Sequence, residues 1–186
     1  MQNQFRHYIA ADAGQGEMIW FSGALLTLKI GAESTGGAFS MTEVLGPEGC
    51  MFPLHTDPRD ETLHVLEGEL RLAIGGEQRT IAAGDTLMIR RGVPHAIKIL
   101  SETARFLTMN GGHGHFYRLA GEPTLVRDLP PSSLQDPERL RNAAEETGVA
   151  LVASNPFREY PYPITRDKSS RCAEERLNPI RETATP

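Results

Sequence analysis

Cysteine, basic excess and long apolar runs are all scarce in this 186-residue chain. Two cysteines, Cys50 and Cys172, make no metal-binding or redox spacing, which argues against a disulfide-stapled scaffold and points to a reducing cytoplasm. Lys and Arg number 19 against 24 Asp and Glu, a formal net charge of -5. That balance argues against a nucleic-acid binder, which carries a basic stripe or surplus. The most apolar early stretch, Met18 to Ile30, is interrupted by Ser22, Gly23, Thr27 and Lys29, far short of the roughly 20 apolar residues of a membrane span. Met1 to Gln15 carries Asp12 and has no basic start leading into an apolar run, so no secretory signal is expected.

What is present is a chain with 39% hydrophobic residues and 18 glycines, long enough for one domain of about 100–150 residues plus an appendage. Strands are expected at Met18–Phe21, Leu25–Ile30, Ala38–Leu45, Glu61–Leu66, Glu69–Ile74, Gln78–Ile81, Thr86–Ile89, His95–Leu100 and Ala104–Met109. Between them lie Gly36-Gly37, Gly46-Pro47, Gly75-Gly76, Gly84-Asp85, Gly92 and Gly111-Gly112, and such evenly spaced turns mark a sandwich or barrel. Leu70, Leu72 and Ile74 alternate with Glu69, Arg71 and Ala73, as in a strand with one buried face. No helical period is evident before residue 120, so the first two-thirds read as all-β.

The character changes after Gly121. Pro123, Pro130 and Pro131 mark a connector, and Asp136-Pro137-Glu138 opens a helix with a capping side chain, a proline suited to its first turn and an acid at its positive end. Gly148 stops it. The expected organisation is a barrel over 1–120, a connector and helix packing on it over 121–164, and a polar tail over 165–186.

Chemistry-bearing residues gather in two segments, Gly46 to Gly68 and Gly84 to His95. In extended chain His55 and Asp57 share a face, and a turn at Pro58-Arg59 brings Glu61 back beside them. His95 opens a strand after Gly92-Val93-Pro94. Imidazoles and carboxylates converging from two hairpins make a nitrogen and oxygen site suited to a divalent first-row metal. Each residue also has a plainer role: His55 in a loop, His95 capping a strand, Glu61 pairing with Arg59, Arg90 or Arg91. His64 falls on the face opposite Glu61 and Leu63 and reads as a structural or pocket-edge histidine. His113-Gly114-His115 follows the last barrel strand and reads as a pocket rim in extended chain, where either histidine could compete for metal. Tyr117 and Tyr162 read as packing or dimer contacts, and Cys50 as a small buried hydrophobe.

From Gly46 to His95 the sequence resembles the cupin superfamily, whose first motif runs glycine, His-x-His, glutamate, glycine and whose second runs glycine, proline, histidine. His55, Glu61 and His95 stand at three of the four ligand positions, and Asp57 stands where the second histidine would be. Weaker likeness at Trp20-Phe21, Thr35-Gly36-Gly37, Gly111-Gly112 and the late helix is similar to single-domain, quercetinase-like cupins. The resemblance implies a double-stranded β-helix, or jelly-roll, barrel with a short C-terminal helical appendage. It also implies a divalent ion (manganese, iron, cobalt or nickel) held by His55, Asp57, Glu61 and His95. Three readings of Asp57 stay open: it ligates and makes a harder site favouring manganese or iron, it leaves three residues and water to hold the ion, or the metal is lost.

Carried over, the family implies a dioxygenase acting on a flavonol-like phenolic or enolisable compound, with Glu61 as proton acceptor. The pocket is expected to involve Phe39, Met41, Phe52, Leu63, Leu87, Ile97, His113 and His115. Alternatives are a non-catalytic small-molecule-binding cupin and a metal-dependent isomerase or decarboxylase. A homodimer is expected, with Phe5–Ile9 or Met18–Ile30 adding to a neighbour's sheet.

Overall fold

Inward-facing apolar residues alternate with half-exposed ones along most strands, and two sheets close over the resulting core. The structure is a computed structural model that describes residues 8–131, 135–152 and 156–157. Its strands are β1 (Glu17–Phe21), β2 (Ala24–Ile30), β3 (Ser40–Pro47), β4 (Met51–Thr56), β5 (Glu61–Glu67), β6 (Glu69–Ile74), β7 (Glu77–Ala82), β8 (Thr86–Ile89), β9 (His95–Ile99), β10 (Thr103–Asn110), β11 (Glu122–Thr124) and β12 (Ala150–Leu151). Two helices, α1 (His113–Ala120) and α2 (Pro137–Thr147), follow the barrel strands. One antiparallel sheet has the order β11-β1-β2-β3-β10-β5-β8 and the other β12-β4-β9-β6-β7. This is a jelly-roll architecture with a C-terminal helix, as expected from the sequence.

The nine strands expected from sequence all form, with ends within two residues of those read from the turns. Val44, Leu63, Val65, Leu70, Leu72, Ile99 and Phe106 fill the space between the sheets, each fully buried. Strand β6 departs slightly from strict alternation, because Ala73 is buried as well as Leu70 and Leu72. Gly68 makes the tight turn from β5 to β6 at φ 83, where a Cβ would meet the backbone at Thr103 and Ala104.

Three expectations are corrected here. Met51–Thr56, absent from the expected strands, is strand β4. The chain from β4 to β5 and from β8 to β9 does not form hairpins; each connection crosses from one sheet to the other. And 113–120 is helical rather than extended, because His113, Phe116, Tyr117 and Ala120 at i, i+3, i+4 and i+7 form one buried face. Helix α2 forms as expected: the Asp136 side chain accepts from the backbone N–H groups of Glu138 and Arg139, and Gly148 ends the helix at φ 76.

Beyond residue 120 the chain rejoins both sheets, β11 pairing with β1 and β12 with β4. Met18–Ile30 therefore lies inside the sheet between β11 and β3, with no free edge to offer a neighbour. Tyr8 and Ile9 are exposed, while Phe5, Tyr162, Cys172 and the tail at 165–186 lie outside the described residues. Among the described residues no helix is long and apolar enough to cross a membrane.

Candidate metal centre

The site owes its geometry to an irregularity in β4. Phe52 pairs with Ile97 and His55 with His95, so three steps along β4 match two along β9. The extra residue falls at Pro53-Leu54, where proline has no N–H to give the ladder. In a regular strand Phe52 and His55 would face opposite sides, whereas here both line the same interior. The bulge puts His55 across from His95, ring centroids 4.3 Å apart. Asp57 begins the crossing to the other sheet, and Glu61 faces inward at the start of β5.

Five polar side chains meet there. The His95 Nε2 lies 2.9 Å from Glu61 Oε2 and 3.7 Å from Asp57 Oδ2. His55 Nε2 is 3.4 Å from Asp57 Oδ2. The fifth, His113 on α1, places Nε2 3.0 Å from Asp57 Oδ2 and Nδ1 3.4 Å from Glu61 Oε1. The Thr108 hydroxyl donates to Glu61 Oε1 at 2.6 Å and fixes that carboxylate. Donor atoms of His55, Asp57, Glu61 and His113 all fall within 4.8 Å of one another. Asp57, Glu61, His95 and His113 are buried and His55 is half-buried.

The donor set fits a divalent cation. His55 Nδ1 donates to the Pro53 carbonyl at 2.7 Å and His95 Nδ1 to the Val93 carbonyl at 2.9 Å. Each imidazole is thereby left with Nε2 aimed at carboxylate oxygens, and two acceptors face to face need a proton or a cation between them. Without metal, protons fill that role. Burial alone would raise the Asp57 pKa, yet hydrogen bonds from His113 and His55 hold it well below the usual carboxylate range. Burial likewise opposes ionisation of Glu61, but the charges of His113 and His95 bring it down to about 2. Desolvation works against protonating His95 and His113, and their contacts with Glu61 and Asp57 outweigh it and raise both.

These shifts set a pH dependence. The depressed carboxylates stabilise the fold above their unfolded pKa of about 4, and that contribution is lost as pH falls through the folded values. The raised histidines stabilise it below an unfolded pKa of about 6.5, and theirs is lost as pH rises through the folded values. Chelator-treated protein is expected to melt highest between about pH 4.5 and 6.5. Added divalent metal should extend that stability to higher pH, because the ion takes the place of the protons. A melting temperature that rises steadily from pH 5 to 8 without metal would contradict the protonated cluster.

The other residues singled out from sequence are dispersed. Phe52 and His113 line a cavity of about 20 Å³ with Phe21, Pro53, His55, Phe116, Tyr117, Val149 and Leu151. Leu63 and Ile97 are core residues, and Leu87 is a half-buried residue packed against the core cluster. Met41 is half-buried on the other face of β3 from Ser40 and Thr42, and Phe39 is exposed before that strand begins. His115 stands about 200° around α1 from His113 and bonds to Glu146 at 3.0 Å on the exposed surface. His64 Nδ1 bonds to Thr86 Oγ1 at 2.8 Å, facing out. Tyr117 is buried against Phe21, His113 and Phe116. Cys50 is buried, which pushes its thiol up to about 11 and leaves it unreactive. Thr108 carries no motif signal. The buried position of His113 was foreshadowed only by the helical spacing of the four residues that share its face.

Comparisons with known proteins bear on this geometry. Residues 41–110 match the family described as the cupin domain. A curated quercetin 2,3-dioxygenase from Bacillus subtilis (strain 168) is 32% identical over 145 residues, 75% of this chain and 43% of that protein. The chain thus spans less than half the length of that relative. Among solved structures, KdgF from a Halomonas species is similar with a TM-score of 0.50 and 14% identity, covering 56% of this chain and 93% of that one. A structure titled as a predicted oxalate decarboxylase from Thermotoga maritima gives 0.51 and 17%, covering 55% and 97%. At those identities the structural likeness speaks for the fold alone.

Proposed function

The chain belongs to the cupins and is quercetinase-like, and on that premise we propose that it is a metal-dependent dioxygenase of a flavonol-like phenolic or enolisable small molecule. What supports this reading is the cluster of His55, Asp57, Glu61 and His95, linked by contacts of 2.9, 3.4 and 3.7 Å, with Nδ1 of both His55 and His95 tied to carbonyls. A divalent ion bound there supplies Lewis acidity toward a substrate oxygen and a place for dioxygen. The chain's own residues supply the rest. Backbone carbonyls of Pro53 and Val93 hold two imidazoles in the ligating tautomer. Glu61 is ionised at neutral pH and accepts the proton of the substrate hydroxyl. So low a pKa makes it a weak base until Thr108 and His95 loosen their hold on it. Phe21, Phe52, Phe116 and Tyr117 offer an aromatic wall and keep bulk water from the centre.

Metal-loaded protein is expected to consume oxygen with at least one member of a panel of flavonols and related enols. No uptake with stoichiometric metal present would overturn the dioxygenase reading. One observation favours a second reading, a cupin that binds a small ligand without oxidising it: the cavity beside His55 holds about 20 Å³, room for roughly one water. A flavonol enters only if the wall made by α1, Val149 and β12 moves aside. Saturable ligand binding without turnover would select that second reading, and turnover without oxygen would select an isomerase or decarboxylase. We further propose a cytoplasmic homodimer; a monomer by light scattering at micromolar concentration would count against it.

A further inference from the structure

Position 57 is where this chain departs from the cupin motif, and a third imidazole, on a helix outside the two motifs, points at that position. His113 is buried, with both ring nitrogens directed into the cluster. Its Nδ1 sits 3.4 Å from the Thr108 hydroxyl, whose own proton goes to Glu61 and whose lone pairs can receive an N–H. Nε2 faces Asp57 Oδ2 at 3.0 Å, and with Nδ1–H anchored on that hydroxyl it is the nitrogen at which a cation can take the place of a proton. This repeats the arrangement of His55 and His95: Nδ1–H anchored on an oxygen, Nε2 turned to the common centre. The fold holds His113 in place from below, since Tyr117 one turn along α1 packs on its ring at 5.3 Å and Phe116 and Ala120 bury the same helix face.

We propose that His113 is a metal ligand, supplying from α1 through Nε2 the imidazole that position 57 lacks. The inference rests on the divalent-ion reading above. It accounts for Asp57 as well: the motif's missing nitrogen is replaced from the far side of the site, and the shorter carboxylate leaves space for the ring that replaces it. A consequence follows for the fold. The ion ties α1 to β4 and β5, so metal binding and docking of the helical appendage on the barrel become one event.

Cobalt(II) titrated into metal-free full-length protein tests this without any assay of turnover. Each imidazole bound through Nε2 gives one exchangeable Nδ1–H proton signal shifted far outside the ordinary NMR range. Three such signals are expected in the wild type, two in His113→Gln, and an affinity lower by at least about tenfold in the variant. A variant with unchanged count and affinity would overturn the proposal, whereas loss of one signal in the variant supports it whether the wild type shows three or two. If the variant does not fold, the wild-type signals are assigned to residues through their contacts with neighbouring protons, and none from His113 would overturn the proposal. No cobalt bound to the wild type would sink the metal reading together with this one. Three signals without oxygen consumption would leave His113 a ligand and remove only the dioxygenase.

Discussion

Glu61→Gln is expected to weaken divalent-metal binding by more than about 100-fold, the upper end of what losing a merely supporting partner costs. Glutamine keeps the shape and the Thr108 contact but removes the charge on which the rest of the cluster depends. His95 at 2.9 Å and His113 at 3.4 Å both face Glu61, and both imidazoles owe their raised pKa partly to it. Metal-free variant should therefore also lose stability. Removing one partner of a buried charge pair costs about 3–5 kcal/mol, and the full loss is expected near pH 5.5, where the histidines carry protons. At pH 8 the loss should shrink, because the imidazoles can shed those protons instead. Chelator competition and urea unfolding at the two pH values check both parts. Metal affinity equal to wild type would mean that Glu61 is not a ligand.

Phe106→Ala is expected to separate the container from the site. Phe106 is fully buried, stacked edge-on to Phe52 with centroids 6.3 Å apart and paired in register with Val44 and Val65. Truncation should cost about 3–5 kcal/mol in urea unfolding. Thr108, which holds the Glu61 carboxylate, lies two residues along β10, about 7 Å away, at the edge of the range where effects add. Coupling to the ligand cluster is expected at about 1 kcal/mol. Metal affinity should then change by no more than about fivefold, measured on folded protein at low temperature. A parallel collapse of metal affinity would show the barrel floor and the ligand cluster to be one mechanical unit.

Both variants probe parts of the molecule that differ in how far sequence reveals them. Glu61 and its neighbours Leu63 and Val65 were legible because alternation along β5 is unbroken, and Gly68 ends that strand where only glycine fits. Helix α2 was legible through Asp136, Pro137 and Gly148, whose roles are local. β4 was not legible, because Pro53 and the bulge beside it break the period that identifies a strand. Helix α1 escaped because two of its first three residues are histidines, which count as polar although His113 is buried. β11 and β12 are too short, at three and two residues, to carry a pattern at all.

A barrel of short strands, the order of its turns and the spacing of His55, Asp57, Glu61 and His95 along a known motif can all be read from the residues alone. These follow from rules that act over two to seven residues: pleat alternation, helix capping, and glycine where φ is positive. Long-range packing is what brings His113 into the cluster and leaves His115 out, gives His55 and Phe52 a shared interior, and leaves the cavity beside them small. Those outcomes depend on one bulged residue and on where a helix docks, and both are settled by packing between distant segments, His55 against His95 across the bulge and His113 on Asp57 at a separation of 56. No local pattern encodes a contact at that range; it exists because burying Phe116, Tyr117 and Ala120 against the barrel carries the histidine in with them.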